Sequence, residues 1–237
     1  MAHQEHHDHA HHHAHSHAAA NKAHFDVQAG EYDNTPGAIE MTANQVAAIN
    51  KVYPALLNEN TTVLDFACGT GLISEHIAPR VHSVLGVDIS DAMVEKYNAR
   101  ATKLRLGPEK MRGIVAELKG NEEELEGRKF DVVVCTSAYH HMTSIEEVTR
   151  MLTFFLKPGG SLLVSDLYQN SNYAAAFSQP ELRDIVAHKG GFHEDTMRKT
   201  FEGAGLVDFE MGFAASAILH DVKTDWFLAR GVKPTVA

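Results

Sequence analysis

The feature that most constrains the fold of this chain is the stretch Val63–Ser74, with the sequence VLDFACGTGLIS. An apolar run reaches Asp65, and a turn of small residues containing Gly69 and Gly71 follows before an amphipathic segment begins. This order is typical of a buried strand, a glycine loop and the start of a helix. Glycines let the backbone come close to a bound group, and the free N–H groups of the helix point towards it. The stretch therefore predicts a ligand site at the end of a strand.

The next predicted strand supplies an acidic residue at the spacing of a ribose site. In VLGVDIS, Asp88 lies about twenty residues beyond the glycines, where a carboxylate accepts hydrogen bonds from both hydroxyls of a ribose. Ile89 follows it, and this apolar side chain would either cover one face of an adenine or belong to the core. The two segments together predict a nucleoside site. The alternative is a tight strand-to-helix turn that binds no ligand.

Four motifs occur in order along the chain: DFACGTG, VDIS, FDVVVC and LKPGGSLLVSD. In this order and spacing they resemble the class I S-adenosylmethionine-dependent methyltransferases, particularly the small-molecule branch similar to ubiquinone and menaquinone methyltransferases. The resemblance extends from about Phe25 to Lys233. It implies an α/β fold with a Rossmann-like, doubly wound sheet of about seven strands and helices on both faces. The sheet is expected to be mostly parallel, with one antiparallel strand inserted beside its neighbour.

The resemblance implies S-adenosylmethionine as the cofactor and S-adenosylhomocysteine as the product. Tyr32 is expected to be a lid residue, although it would alternatively be a hydrophobic anchor for the first helix. Glu117 and the N–H of Leu118 are expected to contact the adenine edge, although an exposed charge is the usual state of a glutamate at a strand end. The full set of expected cofactor residues is Tyr32, Met41, Asp65, Ala67, Cys68, Gly69, Thr70, Gly71, Asp88, Ile89, Met93, Glu117, Leu118, Thr136 and Ser137.

The segment FDVVVCTSAYHHM predicts where the methyl acceptor approaches. A fully apolar strand stops in a polar loop, and such strand ends face the ligand crevice of open α/β sheets. Tyr139, His140 and His141 follow directly and are the candidate catalytic residues. A histidine titrates near neutrality, so it can remove a proton from an alcohol or a carbon acid. Alternatively, one histidine fixes the loop and the other lies on the surface.

Composition limits the partners of the chain. Its 237 residues suit one domain, and the formal charge of −10 argues against binding to nucleic acid, which depends on clustered Lys and Arg. A small-molecule acceptor fits better. The two cysteines, Cys68 and Cys135, do not make a disulfide framework and are expected to be small buried residues. The sequence contains no apolar stretch of the length that spans a bilayer, so a cytoplasmic protein is expected, as a monomer or a homodimer.

The N-terminal segment 1–22 is rich in histidine, and we expect it to be a disordered tail that precedes a single methyltransferase domain over residues 23–237. Dense neutral imidazoles bind Zn, Ni or Cu loosely, but without fixed geometry they make no defined metal site.

The sequence thus predicts an enzyme that transfers a methyl group from S-adenosylmethionine to an O, N, S or C atom of a small molecule. Three subclasses are disfavoured: amino-methylating enzymes with an Asn-Pro-Pro motif, cysteine-dependent arsenite enzymes, and quinone-ring C-methyltransferases, because SAYHHM replaces an Arg-Asn-Val-like stretch. One alternative is an NAD-dependent oxidoreductase, since Gly69, Gly71 and Asp88 would also serve a dinucleotide, although Ser74 replaces the third glycine. The other is a non-catalytic methyltransferase-like protein.

Overall fold

The structure is a computed structural model that describes residues 17–35, 37–169, 177, 182, 184–219 and 222–235. Its helices are α1 (17–28), α2 (Ala38–Val52), α3 (Leu72–Ile77), α4 (Asp91–Lys103), α5 (Ile145–Phe154) and α6 (Glu194–Gly203). Its strands are β1 (Thr62–Phe66), β2 (Ser83–Asp88), β3 (Met111–Val115), β4 (Phe130–Thr136), β5 (Leu156–Leu167), β6 (Val207–Leu219) and β7 (Val222–Val232).

These strands form one seven-stranded sheet in the order β3-β2-β1-β4-β5-β7-β6. Neighbours from β3 to β5 pair in parallel, whereas β7 is antiparallel to both β5 and β6. The predicted α/β sheet with an inserted antiparallel strand is therefore confirmed. The order reverses direction between β1 and β4, and the ligand crevice of an open α/β sheet lies at such a switch point.

Helices cover both faces of the sheet because side chains alternate along each buried strand. On β4, Val132 and Val134 pack into the cluster formed with α2, α3 and α4, while Val133 and Cys135 pack into the cluster formed with α5 and α6. Cys68 belongs to the first cluster and Cys135 to the second, and both are buried and free. They are the small buried residues that the sequence predicted.

Serine side chains cap two of the helices. The Ser90 hydroxyl caps α4 by accepting a hydrogen bond of 3.1 Å from the N–H of Met93, and Ser144 caps α5 in the same way. The Pro-Gly-Gly segment of the motif LKPGGSLLVSD lies inside β5. There the pairing of β4 with β5 jumps from Leu156 to Ser161, so the segment forms a bulge.

Residues 17–22, which the sequence assigned to the tail, belong to helix α1 in this structure. Residues 1–16 lie outside the described residues. Among the helices that the structure describes, none combines the length and the apolar character needed to cross a membrane.

The ring of Tyr97, on α4, packs against a patch of bare backbone made by three glycines. A Cβ atom added to Gly71, Gly86 or Gly113 would lie 2.8, 2.6 or 2.9 Å from this ring. Gly86 and Gly113 face each other across β2 and β3, so the patch is continuous. Glycine at these positions is therefore needed to seat an aromatic ring against the sheet and the loop.

Replacing Gly86 by alanine is expected to destabilise the fold by about 1–3 kcal/mol, because the new methyl group overlaps the Tyr97 ring and lies 2.8 Å from the Cys68 sulfur. Gly203→Ala is the matched control, since a Cβ there meets nothing within 4 Å. Urea unfolding followed by circular dichroism measures both changes. Equal stability of the two variants would contradict this account of Tyr97.

Candidate active site

A cavity of about 550 Å³ opens at the carboxyl ends of β1, β2, β3 and β4. Among the residues predicted to bind the cofactor, those that line it are Tyr32, Ala67, Gly69, Asp88, Ile89, Met93, Glu117, Leu118, Thr136 and Ser137. They come from five separate segments of the chain. The structure therefore brings most of the predicted nucleoside site together around one space.

Asp88 joins the glycine loop to the start of α4. Its Oδ2 accepts a hydrogen bond of 2.9 Å from the Gly69 N–H, and its Oδ1 accepts one of 2.9 Å from the Ser90 N–H. Burial raises the pKa of this carboxyl above its ordinary value, and the backbone hydrogen bonds oppose that shift. The carboxylate is thus held rigidly in the cavity wall, where it can accept a further hydrogen bond from a ligand.

The backbone turns sharply where the strands meet the cavity. Ala67, just after β1, and Ser137, just after β4, have φ values of 54° and 56°, and Gly69 has a φ of 51°. Left-handed conformations are uncommon for residues other than glycine, and they cluster at functional sites. Both non-glycine residues with this conformation at the cavity were among the predicted cofactor residues.

Asp65 lies behind the loop rather than in the cavity wall. Its Oδ2 accepts a hydrogen bond of 2.6 Å from the Ser74 hydroxyl, whose oxygen accepts one of 2.7 Å from the Tyr97 hydroxyl. Burial raises the pKa of Asp65 to about 7. In this structure the Asp65 carboxylate contacts the Ser74 side chain beneath the glycine loop and does not line the cavity.

Three more predicted cofactor residues support the loop without lining the cavity. Cys68 is buried, and burial raises the pKa of its thiol well above the usual value. Gly71 precedes α3 with a φ of 86°. Thr70 donates its hydroxyl hydrogen to Asp33, and its carbonyl accepts a hydrogen bond of 2.9 Å from Arg100 Nε.

Arg100, which sequence reasoning did not single out, clamps the loop. From α4 its guanidinium makes ion pairs with Asp33, next to Tyr32, and with Glu75 on α3, besides donating to the Thr70 carbonyl. The partners are 67, 25 and 30 residues away in sequence. No local sequence motif marks contacts over such separations.

Helix α1 covers the cavity, and sequence reasoning missed it. His17, Ala18, Asn21 and Phe25 line the cavity from this helix. The spacing of Ala18, Asn21 and Phe25 by three and four residues was the available signal, but the surrounding histidine-rich composition obscured it.

Polar contacts attach α1 at both ends. His17 Nε2 donates a hydrogen bond of 2.8 Å to the His141 carbonyl. Asp26 accepts one of 2.6 Å from the Ser90 hydroxyl and pairs with Lys22 at 3.0 Å. The helix therefore lies across the cavity between the end of β4 and the start of α4.

Two predicted residues lie away from the cavity. Met41 packs beside a separate apolar cluster that contains Phe177 and Trp226. Tyr139 is fully buried in the core, and its hydroxyl is 2.9 Å from the Thr149 hydroxyl. The side chain of Tyr139 is thus part of the core and does not line the cavity.

The two histidines differ in their surroundings. His141 lines the cavity, its Nδ1 donates a hydrogen bond of 2.7 Å to the Ile185 carbonyl, and its ring meets Phe25 edge-on at 5.2 Å. Burial, together with the neighbouring His140, holds the pKa of His141 well below its usual value. His140 does not line the cavity, and its Nδ1 lies 2.9 Å from Asp166.

In the part of the chain that the structure describes, no cluster of His, Cys, Asp and Glu side chains is suited to a metal ion.

A family model described as a methyltransferase domain matches residues 40–210. The chain belongs to this family. The matched range begins in α2, ends in β6 and includes the glycine loop, Asp88 and the two histidines. The predicted relationship to the methyltransferases is therefore confirmed.

Named relatives agree with the family. An uncharacterized methyltransferase of Schizosaccharomyces pombe is 39% identical over 155 residues, which cover 63% of this chain and 55% of that protein. A ubiquinone biosynthesis O-methyltransferase of Pseudomonas paraeruginosa is 37% identical over 110 residues, covering 46% of this chain and 45% of that protein. The methyltransferase chain thus spans about half the length of the curated relatives it matches.

Solved structures agree with the fold. The magnesium protoporphyrin IX methyltransferase of Synechocystis, solved with bound S-adenosylmethionine, superposes with a TM-score of 0.56 at 18% identity. The match covers 82% of this chain and 80% of that one. At this identity the likeness concerns the fold of the methyltransferase domain.

The low pKa of His141 predicts acid sensitivity of this methyltransferase domain. Below about pH 6.5 the unfolded chain binds a proton at this position that the folded chain excludes, so stability falls as the pH falls. We expect His141→Asn to lose stability less steeply between about pH 7 and about pH 5 than the wild type. The remaining slope includes His24 and His188, whose pKa values burial also lowers.

Urea unfolding at several pH values measures this slope, with the exposed His82 replaced by asparagine as the matched control. If stability falls equally steeply with pH in the wild type and in the His141 variant, His141 does not cause the acid sensitivity.

Proposed function

We propose that the protein is an S-adenosylmethionine-dependent methyltransferase that acts on a small-molecule acceptor. The observation that carries this proposal is the Asp88 carboxylate, which is fixed on the Gly69 N–H at 2.9 Å in the wall of a cavity large enough for a nucleoside. A carboxylate held in this way binds a ribose through its hydroxyls.

The other wall residues suit the remaining parts of the methyl donor. Ile89, Met93 and Leu118 offer apolar surface to an adenine, and the exposed Glu117 offers a carboxylate at its edge. Thr136 and Ser137 lie at the end of β4, and Tyr32 lies between α1 and α2. Their hydroxyl groups suit the amino-acid end of the methyl donor. The bound donor supplies an already activated methyl group on a positively charged sulfur, so the protein mainly has to orient the acceptor.

Family and topology favour this function over the alternatives. The antiparallel β7 between β5 and β6 is the arrangement expected of methyltransferases rather than of NAD-dependent oxidoreductases. The ubiquinone biosynthesis O-methyltransferase among the relatives favours an oxygen atom of a small molecule as the acceptor. The formal charge of −10 supports a small-molecule partner rather than a nucleic acid.

Measurements of ligand binding distinguish S-adenosylmethionine from NAD as the cofactor. We expect S-adenosylhomocysteine at about 100 times its dissociation constant to stabilise the protein by about 2.7 kcal/mol, and NAD to have no effect. Thermal-shift measurements test this, and incubation with radiolabelled S-adenosylmethionine and small-molecule extracts tests transfer. Stabilisation by NAD alone would favour the oxidoreductase, and binding without transfer to any acceptor would favour the non-catalytic protein.

Replacing Asp88 by asparagine is expected to weaken S-adenosylhomocysteine binding about ten- to a hundredfold, because a charge-assisted hydrogen bond contributes about 1.5–3 kcal/mol. The amide also directs an NH₂ group at the N–H of Gly69 or Ser90, which loses its acceptor. Isothermal titration calorimetry measures the affinity. The exposed Asp208→Asn is the matched control and should bind like the wild type. Unchanged affinity of the Asp88 variant would contradict the proposed site.

A further inference from the structure

Three aromatic rings adjoin one another in the wall of the cavity: Phe25 on α1, Tyr32 between α1 and α2, and His141 beyond the end of β4. The Phe25 ring meets the His141 ring at a centroid distance of 5.2 Å and an interplanar angle of 80°. It meets the Tyr32 ring at 6.3 Å and 72°. Rings set nearly perpendicular to one another form adjoining walls rather than a stack. We call these three rings the aromatic corner.

The aromatic corner spans the gap between the two places where the ends of the methyl donor are expected. Burial raises the pKa of the Tyr32 hydroxyl, and the nearby charge of Asp88 raises it further, so this ring lies close to the carboxylate proposed to hold the ribose. His141 follows the end of β4, where Thr136 lines the cavity beside the expected amino-acid part. In S-adenosylmethionine the sulfonium sulfur joins the ribose to the amino-acid chain. A donor bound in this way therefore places its sulfonium beside the aromatic corner.

Contacts at both ends of α1 fix the position of Phe25. The next residue, Asp26, accepts a hydrogen bond of 2.6 Å from the Ser90 hydroxyl at the start of α4. At the other end of the helix, His17 donates one of 2.8 Å to the carbonyl of His141. The Phe25 ring is therefore held between the start of α4 and the end of β4.

The charges around the cavity suit a cation. Among the cavity-lining residues that the structure describes, the carboxylates are Asp88, Glu117 and Glu147. The ammonium of Lys119 pairs with Glu117. The ring of His141 is neutral near neutral pH, because burial holds its pKa well below the usual value. The wall thus carries more negative than positive charge.

Asn21, one turn of α1 before Phe25, adds the negative end of a dipole. It lines the cavity and is 6% exposed. Its Nδ2 donates a hydrogen bond of 3.0 Å to the His17 carbonyl, which fixes the orientation of the amide. Its Oδ1 accepts no hydrogen bond from any residue that the structure describes. A buried oxygen without a partner is stabilised by a positive charge nearby.

We propose that the aromatic corner binds the positively charged sulfonium of S-adenosylmethionine and so distinguishes the methyl donor from its product. The negative faces of aromatic rings attract a cation, most strongly where both are removed from water. During transfer, a lone pair of the acceptor atom forms a bond to the methyl carbon, and the electron pair of the S–CH₃ bond stays on sulfur. The product, S-adenosylhomocysteine, is a neutral thioether that no longer attracts the rings. The aromatic corner therefore favours exchange of product for fresh donor.

This inference rests on the proposed function and adds how the site tells its methyl donor from its product. Rings that only filled space would bind the donor and the product equally through apolar contact. The two roles therefore differ in their consequences when a ring is replaced by an aliphatic side chain.

The test compares Phe25→Leu and Tyr32→Leu, which remove a ring, with Phe25→Tyr and Tyr32→Phe, which keep it. Isothermal titration calorimetry measures the dissociation constants of S-adenosylmethionine, S-adenosylhomocysteine and sinefungin, in which a protonated amine replaces the methyl sulfonium. We expect each leucine variant to weaken binding of the two cations about 5- to 30-fold more than binding of S-adenosylhomocysteine. The variants that keep the ring should retain the wild-type ratios of the dissociation constants.

Phe213→Leu is the matched control, because Phe213 lies on β6, is 63% exposed and does not line the cavity. It should bind all three ligands like the wild type. The affinity for S-adenosylhomocysteine also reports whether each variant folds, and Tyr32→Leu gives an independent result if Phe25→Leu does not fold.

Two outcomes in the leucine variants would overturn the proposal. Equal losses of affinity for all three ligands would mean that the rings act by apolar contact alone, and unchanged affinity for the cations would mean that they do not contact the sulfonium. Failure of the wild type to bind any of the three ligands would instead contradict the proposed function itself, so the two failures are distinguishable.

Discussion

The conformation of the glycine loop depends on a buried hydrogen-bond chain that begins at Tyr97. Its hydroxyl donates to Ser74, and Ser74 donates to Asp65, so α4, α3 and β1 are joined beneath the glycine loop. The Tyr97 ring fits against the sheet because Gly86 leaves room for it. Buried polar groups are costly unless they are paired, so this chain defines one arrangement of the loop and disfavours others.

The rest of the site is built on that arrangement. A fixed loop presents the Gly69 N–H to Asp88, and Asp88 in turn holds the Ser90 N–H at the start of α4. Ser90 carries the hydrogen bond that attaches α1 through Asp26. Hydrogen bonds therefore connect the core to the glycine loop, the loop to Asp88 in the cavity wall, and the start of α4 to helix α1.

Local patterns predicted the fold and the residues that strand ends present. The apolar runs, the glycines and the acidic residue at the end of β2 follow from short-range requirements of strand, turn and helix. Asp88, Thr136 and Ser137, which these patterns singled out, line the cavity. The pattern did not predict the orientation of Tyr139, which follows the end of β4 but has its side chain buried in the core. It also missed α1, because composition alone suggested a disordered tail.

The sequence by itself predicted the succession of strands and helices and, through four motifs in order, the methyltransferase family, because each motif consists of residues close together along the chain. Only the tertiary structure decided that Arg100 clamps the loop, that Asp65 supports it from below and that His140 is paired with Asp166, 26 residues away. Such contacts depend on the register between strands and on how side chains share the buried volume. Neither the register nor the packing can be predicted from a single segment of the sequence.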